Sequence, residues 1–280
     1  MRSKLFLSFL SFFLLTSSIS AQDDYDYDED EEFEDTVKFS FGINFGAYFS
    51  SHKTAEIYSG RPTITPFGVE FVLFEQPLLN QTFQSIYGPS FRLEDDAYPV
   101  ESTYRTASEI GLHVEYNLSE VIDLYLDVNI TQLKFEHFFT LSIDDPNNGF
   151  VGPTYEQIPI FGEENRFHLN LGAQFSMYHD EYANLYFSVF GSLNNTQMRR
   201  NYFVINNQEY EIFHVAFDRP NQRLGGIGYG GGTGLGFKYR LMDHLTTDFY
   251  YNLSYVQVNL SEAFQPYGFN HGLGIRVIWH

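Results

Sequence analysis

The sequence predicts an all-β protein, an eight-stranded antiparallel up-and-down transmembrane β-barrel, and three observations carry that expectation. Apolar and polar residues alternate over segments of about ten, the pattern of a strand with one face in lipid and the other in a polar lumen. The connections between these segments are short and long in turn. Proline cannot donate to a central ladder, and all 10 prolines fall in the long connections.

The N-terminal end is a module of its own. Arg2 and Lys4 precede the apolar run Leu5 to Leu15, and Thr16, Ser17 and Ser18 lead to Ala21. This fits a secretory signal peptide over residues 1–21, since so short a run cannot cross about 30 Å of hydrocarbon as a helix. Residues 22–36 carry Asp23, Asp24, Asp26, Asp28, Glu29, Asp30, Glu31, Glu32, Glu34 and Asp35. Such a block repels itself, so a disordered periplasmic tail is expected. Residues 37–280 form the barrel, and no other segment approaches the roughly 20 apolar residues of a membrane helix.

Strand one, about Val37 to Tyr48, sets Phe39, Phe41, Ile43 and Phe45 against Lys38, Ser40, Gly42 and Asn44. Strand two, about Thr103 to Tyr116, sets Ile110, Leu112 and Val114 against Glu109, Gly111, His113 and Glu115. Strand three begins near Ile122 and alternates Leu124, Leu126, Val128 and Ile130 with Asp123, Asp127 and Asn129. Beyond Thr131 the apolar phase passes to Leu133 and Phe135, which a β-bulge near Gln132 would explain. Strand four, about Arg166 to Tyr178, opposes Phe167, Leu169 and Leu171 to Arg166, His168 and Asn170. Strand five, about Ala183 to Asn194, turns Leu185, Phe187 and Val189 outward. Strand six, about Gly226 to Tyr239, has a row of glycines on one face. Strands seven and eight begin at Leu245 and Phe269, the last ending with Trp279.

Turns are short near residues 117–121, 179–182 and 240–244, and loops are long over 49–102, 140–165 and 195–225, with a smaller one over 260–268. Periplasmic turns and extracellular loops give this alternation, and an even strand count then puts both termini in the periplasm. Ten strands are possible if Thr63 to Phe74 adds one. That stretch of the first loop, with Phe67, Val69, Phe71, Val72, Leu73, Phe74, Leu78 and Leu79, either folds over the barrel mouth or binds another protein.

Two turns share a pattern: Gly111-Leu112-His113-Val114-Glu115-Tyr116-Asn117-Leu118-Ser119-Glu120 and Gly234-Leu235-Gly236-Phe237-Lys238-Tyr239-Arg240-Leu241-Met242-Asp243. With the leader and the eight-strand layout, they make the chain resemble the small outer-membrane β-barrel superfamily of Bacteroidota, the OmpA-transmembrane-like and PorT-like barrels. The resemblance is architectural and implies an outer-membrane location in a Gram-negative cell, without carrying over any functional residue.

With no Cys there are neither disulfides nor thiolate metal sites, and no cofactor or metal site is expected. A net charge of -20 argues against nucleic acid. The inward polar set is Lys38, Glu109, His113, Glu115, Asp123, Asp127, Arg166, His168, Lys238, Asp248, Asn252 and Arg276. In a lumen just wide enough for side chains these should form a salt-bridged plug. His271 with Ser261 and Glu262, and Glu136 with His137, show no nucleophile, base and orienting group in sequence. The chain is therefore expected not to be an enzyme. The expected role is a scaffold or accessory subunit of a membrane complex, seated in outer-membrane lipid and holding a protein partner through its loops or acidic tail. A narrow gated channel is the alternative, and a lipid-modifying barrel enzyme a more distant one.

Overall fold

A computed structural model describes residues 39–144, 152–214, 224–261 and 263–280. The expected signal peptide, the acidic tail, Lys38 and Glu262 lie outside the described residues. The strands are β1 (Phe39–Phe49), β2 (Phe91–Leu93), β3 (Ala107–Asn117), β4 (Ile122–Ile143), β5 (Thr154–His179), β6 (Ala183–Ile205), β7 (Gln208–Glu211), β8 (Gly225–Met242), β9 (Leu245–Gln257) and β10 (Tyr267–Trp279).

Eight of these form a closed antiparallel ring, β1-β3-β4-β5-β6-β8-β9-β10, which shuts by pairing β10 with β1, Trp279 opposite Phe41 and His271 opposite Phe49. Closure removes the free edges that an open sheet would expose to lipid. The two remaining strands stand outside the ring: β2 pairs with the far end of β4, and β7 with the far end of β6. The segment 63–74, expected as a possible ring strand, is not one; it ends in a π-helical turn, Phe71–Glu75.

The ring turns Phe41, Phe45, Ile110, Leu112, Leu171, Leu235, Phe269 and Leu273 outward, all of them exposed. A continuous apolar band of this kind is the lipid-facing surface of a transmembrane barrel. Inside, Gly232 and Gly236 of β8 leave room for bulk from β6: a Cβ at Gly236 would collide with the Tyr186 ring, and one at Gly232 with the Phe190 ring. The glycine row thus gives aromatic side chains of the adjacent strand room to lie over it inside a narrow lumen.

The expected bulge near Gln132 is absent. β4 pairs with β5 without interruption from Ile122 opposite Phe175 to Ile143 opposite Thr154. Asp123, Tyr125, Asp127, Asn129 and Thr131 point inward and are buried, and so, in unbroken phase, do Leu133, Phe135, Phe139 and Leu141. The facing stays the same while the surroundings change. Low in the barrel the outer face meets lipid and the inner face is polar; higher up, Gln132 and Lys134 face outward into water and the inner face is apolar. The register shifts lie elsewhere, at Arg199 of β6, Met177 of β5 and Leu241 of β8.

The same change of surroundings makes two strands longer than the alternation implies: β5 starts at Thr154 rather than near Arg166, and β6 runs to Ile205 rather than ending near Asn194. β5 even contains Pro159, opposite Phe138. It sits where β5 is paired to β4 alone, an edge position that tolerates a missing N–H.

Above the lipid band these extended strands carry a cap. The chain leaving β1 forms α1 (His52–Ala55) and a 3-10 turn, Glu56–Ser59, which Gly60 ends at φ +72°. Helix α2 (Pro77–Tyr87) starts with proline at its first position, where the lost N–H has no intrahelical partner to lose. Val69, Val72, Leu73 and Phe83 pack with Phe135, Phe139, Ile158, Ile160 and Phe203 into an apolar core. Phe83 meets the Tyr210 ring at 4.8 Å, and Phe139 meets Phe203 edge-on at 5.4 Å. The apolar stretch of the first loop therefore covers the mouth of the barrel.

Placing charge on the lipid face should impair assembly. Leu253→Arg, on β9, is expected to cost about 2–4 kcal/mol near the membrane midplane, far more than Ser254→Thr on the inward side, as measured by folding into lipid vesicles. Equal folding yields for the two would reverse the assigned facing.

Candidate functional site

The lumen holds an interlocked set of charged and polar side chains drawn from seven of the eight ring strands. Arg276 of β10 is its hub: Nε donates to Asn44 Oδ1 (2.8 Å), Nη1 to Asp248 Oδ2 (2.6 Å) and Nη2 to Asp127 Oδ2 (2.9 Å). The guanidinium also lies 4.7 Å from the centroid of the Tyr250 ring. Asn44 donates to Asp127 Oδ1 (3.1 Å) and to Asn129 Oδ1 (2.9 Å), which fixes the amide's orientation. Tyr186 donates its hydroxyl to Asp248 Oδ2 (2.8 Å).

His113 links the hub to a second group. Its Nδ1 lies 2.7 Å from Asp127 Oδ1 and its Nε2 lies 3.2 Å from Glu115 Oε2. Both nitrogens can donate at once only in the doubly protonated ring. Lys238 Nζ donates to Glu115 Oε2 (2.6 Å) and Asp123 Oδ2 (3.3 Å). At the turn end His280 bridges the hydroxyls of Ser40 and Thr246, each 2.8 Å away.

A separate cluster joins barrel to cap. Arg166 pairs with Glu164 through Nε, and donates to Ser50 Oγ (2.6 Å) and Thr54 Oγ1 (3.0 Å). Tyr58 and Tyr104, both from the first loop, donate to Glu164 Oε2 at 3.0 and 2.8 Å. Burial, reinforced by the Glu164 carboxylate, holds both phenols well above the usual tyrosine range, so each stays a donor. Between the two clusters Glu109, His168 and Asn252 line a small cavity.

Among the expected lumen residues, His113, Glu115, Asp123, Asp127, Lys238, Asp248 and Arg276 thus meet in one network, Arg166 belongs to the cap joint, and Glu109, His168 and Asn252 stand apart. The sequence reading missed Asn44, Tyr186, Glu164, Tyr58 and Tyr104. Asn44 stands on the polar face expected for strand one but outside the expected charge set, alternation from Leu185 places Tyr186 inward, and Glu164 falls in the expected loop 140–165.

Three other histidines are occupied. His271 lies on the outer face with Nδ1 2.6 Å from the Tyr251 hydroxyl, while Ser261 is engaged in a tight backbone turn with Phe264. His137 Nε2 accepts from the Thr103 backbone N–H (3.2 Å), and Glu136 pairs with Arg105. In the cap, His214 Nε2 lies 2.8 Å from Asn201 Nδ2, and Nδ1 lies 3.2 Å from Thr65 Oγ1. Its burial pushes the imidazole down to about 4. A ring donating from Nδ1 and accepting at Nε2 satisfies both contacts while neutral.

A closed eight-strand ring with a lipid-facing band and a charge-filled lumen defines a small β-barrel of the outer-membrane type. Solved structures with similar layouts are the Neisserial surface protein A (11% identity, 86% of this chain and 95% of the other, TM-score 0.42) and Ail of Yersinia pestis bound to a heparin analogue (12%, 87% and 98%, TM-score 0.33). A third is the outer membrane protease OmpT of Escherichia coli (9%, 87% and 96%, TM-score 0.33). No family model and no curated protein matches the chain. The class therefore rests on the ring and its band. The expectation that the chain is not an enzyme is withdrawn: a protease stands among the matching barrels, so the architecture does not exclude catalysis.

Two outcomes follow from this geometry. Arg276→Ala strands Asp127 and Asp248 in a buried site and should cost about 3–5 kcal/mol in denaturant unfolding. His214 titrates at about 6.5 when unfolded and about 4 when folded, so its contribution is present above pH 6.5 and is lost as pH falls towards 4. Hydrogen exchange should show the cap loosening over that range, by about 3 kcal/mol, and His214→Gln should flatten the dependence.

Proposed function

We propose that the chain is an outer-membrane anchor for a folded surface cap, acting as a scaffold or accessory subunit that holds a protein partner in a membrane complex. The observation that carries this reading is the cap itself. A cap with its own apolar core sits on the barrel, yet α2 turns Leu78, Thr82 and Ile86, spaced four apart, away from that core. Such spacing presents one helical face to a partner. The interlocked lumen favours holding over conducting.

In this reading the short turns and both termini face the periplasm and the cap faces the exterior. The acidic tail adds a second contact, for a partner bearing Lys or Arg. We also infer kinship with the PorT-like barrels of Bacteroidota, on the shared Gly-Leu turn pattern quoted above.

Affinity purification of the full chain from mild detergent tests the proposal. Leu78→Glu with Ile86→Glu should remove a partner held by the cap, at every salt concentration. Deleting residues 22–34 should remove one held by the tail, whose capture also fades with salt because exposed charges are screened beyond about 8 Å. An unchanged set of co-purifying proteins in both variants would overturn the reading.

A further inference from the structure

We propose that the cavity in the middle of the lumen binds one monovalent alkali cation, held by the carboxylate of Glu109 within a shell of amide and hydroxyl oxygens. The carboxylates of the lumen and the cap joint are not equivalent. Asp123, Glu115, Asp127, Asp248 and Glu164 each contact a cation, at Lys238, Arg276 or Arg166. Glu109 is 8% exposed, and its carboxylate makes no hydrogen bond or ion pair among the described residues. The nearby Arg276 is fully committed to Asn44, Asp127 and Asp248.

A buried carboxylate without a partner is costly, and a bound positive charge removes that cost. The walls supply a suitable set of ligands. Asn129, Asn170, Asn252, Ser192 and Ser254 line the same cavity as Glu109, and all offer oxygen, the donor that hard cations prefer. Its volume of about 30 Å³ leaves room for one ion and an attached water. Two further groups on the wall, His168 Nε2 and the Tyr48 hydroxyl, are buried without a hydrogen-bond partner. A water attached to the ion would satisfy them.

Charge sets the valence. Calcium takes 6–8 oxygens, its protein sites generally supply several carboxylates, and this cavity has one. The field points the same way: Glu109 and the turn-side network together bury five carboxylates against Lys238, Arg276 and one histidine, and the negative surplus concentrates cations. The site is independent of the partner proposed above.

Thermal unfolding of the purified full chain in detergent, in sodium, potassium or choline chloride at equal ionic strength, tests the site. An alkali salt should raise Tm over choline in a saturable way, by about 3 °C or more. Glu109→Gln, which keeps the shape and removes the charge, should abolish the rise, and Asn252→Ala should weaken it. Sodium-23 relaxation on the unaltered protein gives a reading that does not depend on a variant folding: broadening that saturates and is displaced by potassium supports the site. Equal Tm in all three salts without such broadening would overturn the proposal, leaving a proton or a water at Glu109. An alkali effect that survives in Glu109→Gln would also overturn it, by placing the ion elsewhere.

Discussion

An eight-strand ring encloses only enough space for its own side chains, and this narrowness governs the molecule. Inward residues crowd against one another, and lipid outside keeps bulk water from the ring's outer face. Polar groups there must satisfy one another. Arg276 meets that demand by dividing its guanidinium among Asn44, Asp127 and Asp248, and His113 and Lys238 carry the pairing on to Glu115 and Asp123. The same crowding explains why β8 is lined with glycine wherever Tyr186 and Phe190 project from β6.

Where the strands leave the lipid the constraint reverses. Water now bathes the outer face, so the inner face can become an ordinary apolar core, and Phe135, Phe139 and Phe203 are fully buried there. Each such side chain gains about 1.5–3 kcal/mol from leaving water. The first loop supplies the other half of that core, because three strands standing up from a ring could not cover their inner faces alone. Glu164 and Arg166 sit at the boundary, tied to Tyr58, Tyr104 and Thr54 of the loop, so the polar regime hands over to the apolar one across a satisfied joint.

Much of the barrel was legible because lipid enforces a strict rule: outward residues such as Phe41, Leu171 and Leu273 must be apolar, and their neighbours gain polarity by default. The cap obeys no such rule. Ile158, Ile160 and Phe203 point inward yet are apolar, so an alternation tuned to lipid reads their strands as ended or out of phase, as at Gln132. Pro159 strengthened that misreading, since its tolerance depends on an edge that appears only in three dimensions. Among site residues, the charged ones stood out as inward exceptions. Tyr186 and Tyr58 did not, because an aromatic ring is the expected lipid or interface residue until its hydroxyl is seen to reach Asp248 or Glu164.

The unbroken β4–β5 hairpin has a consequence for how the chain finds its pairing. A slip by one residue exchanges the two faces of a strand along its whole length. In a hairpin confined to one medium, that error is penalised once. Here it would push Asp123 and Asp127 into lipid at one end and, in the same movement, Phe139 and Leu141 into water at the other. Two unrelated solvents therefore check a single alignment, so the register is fixed by its surroundings as well as by the pairing of the lumen charges.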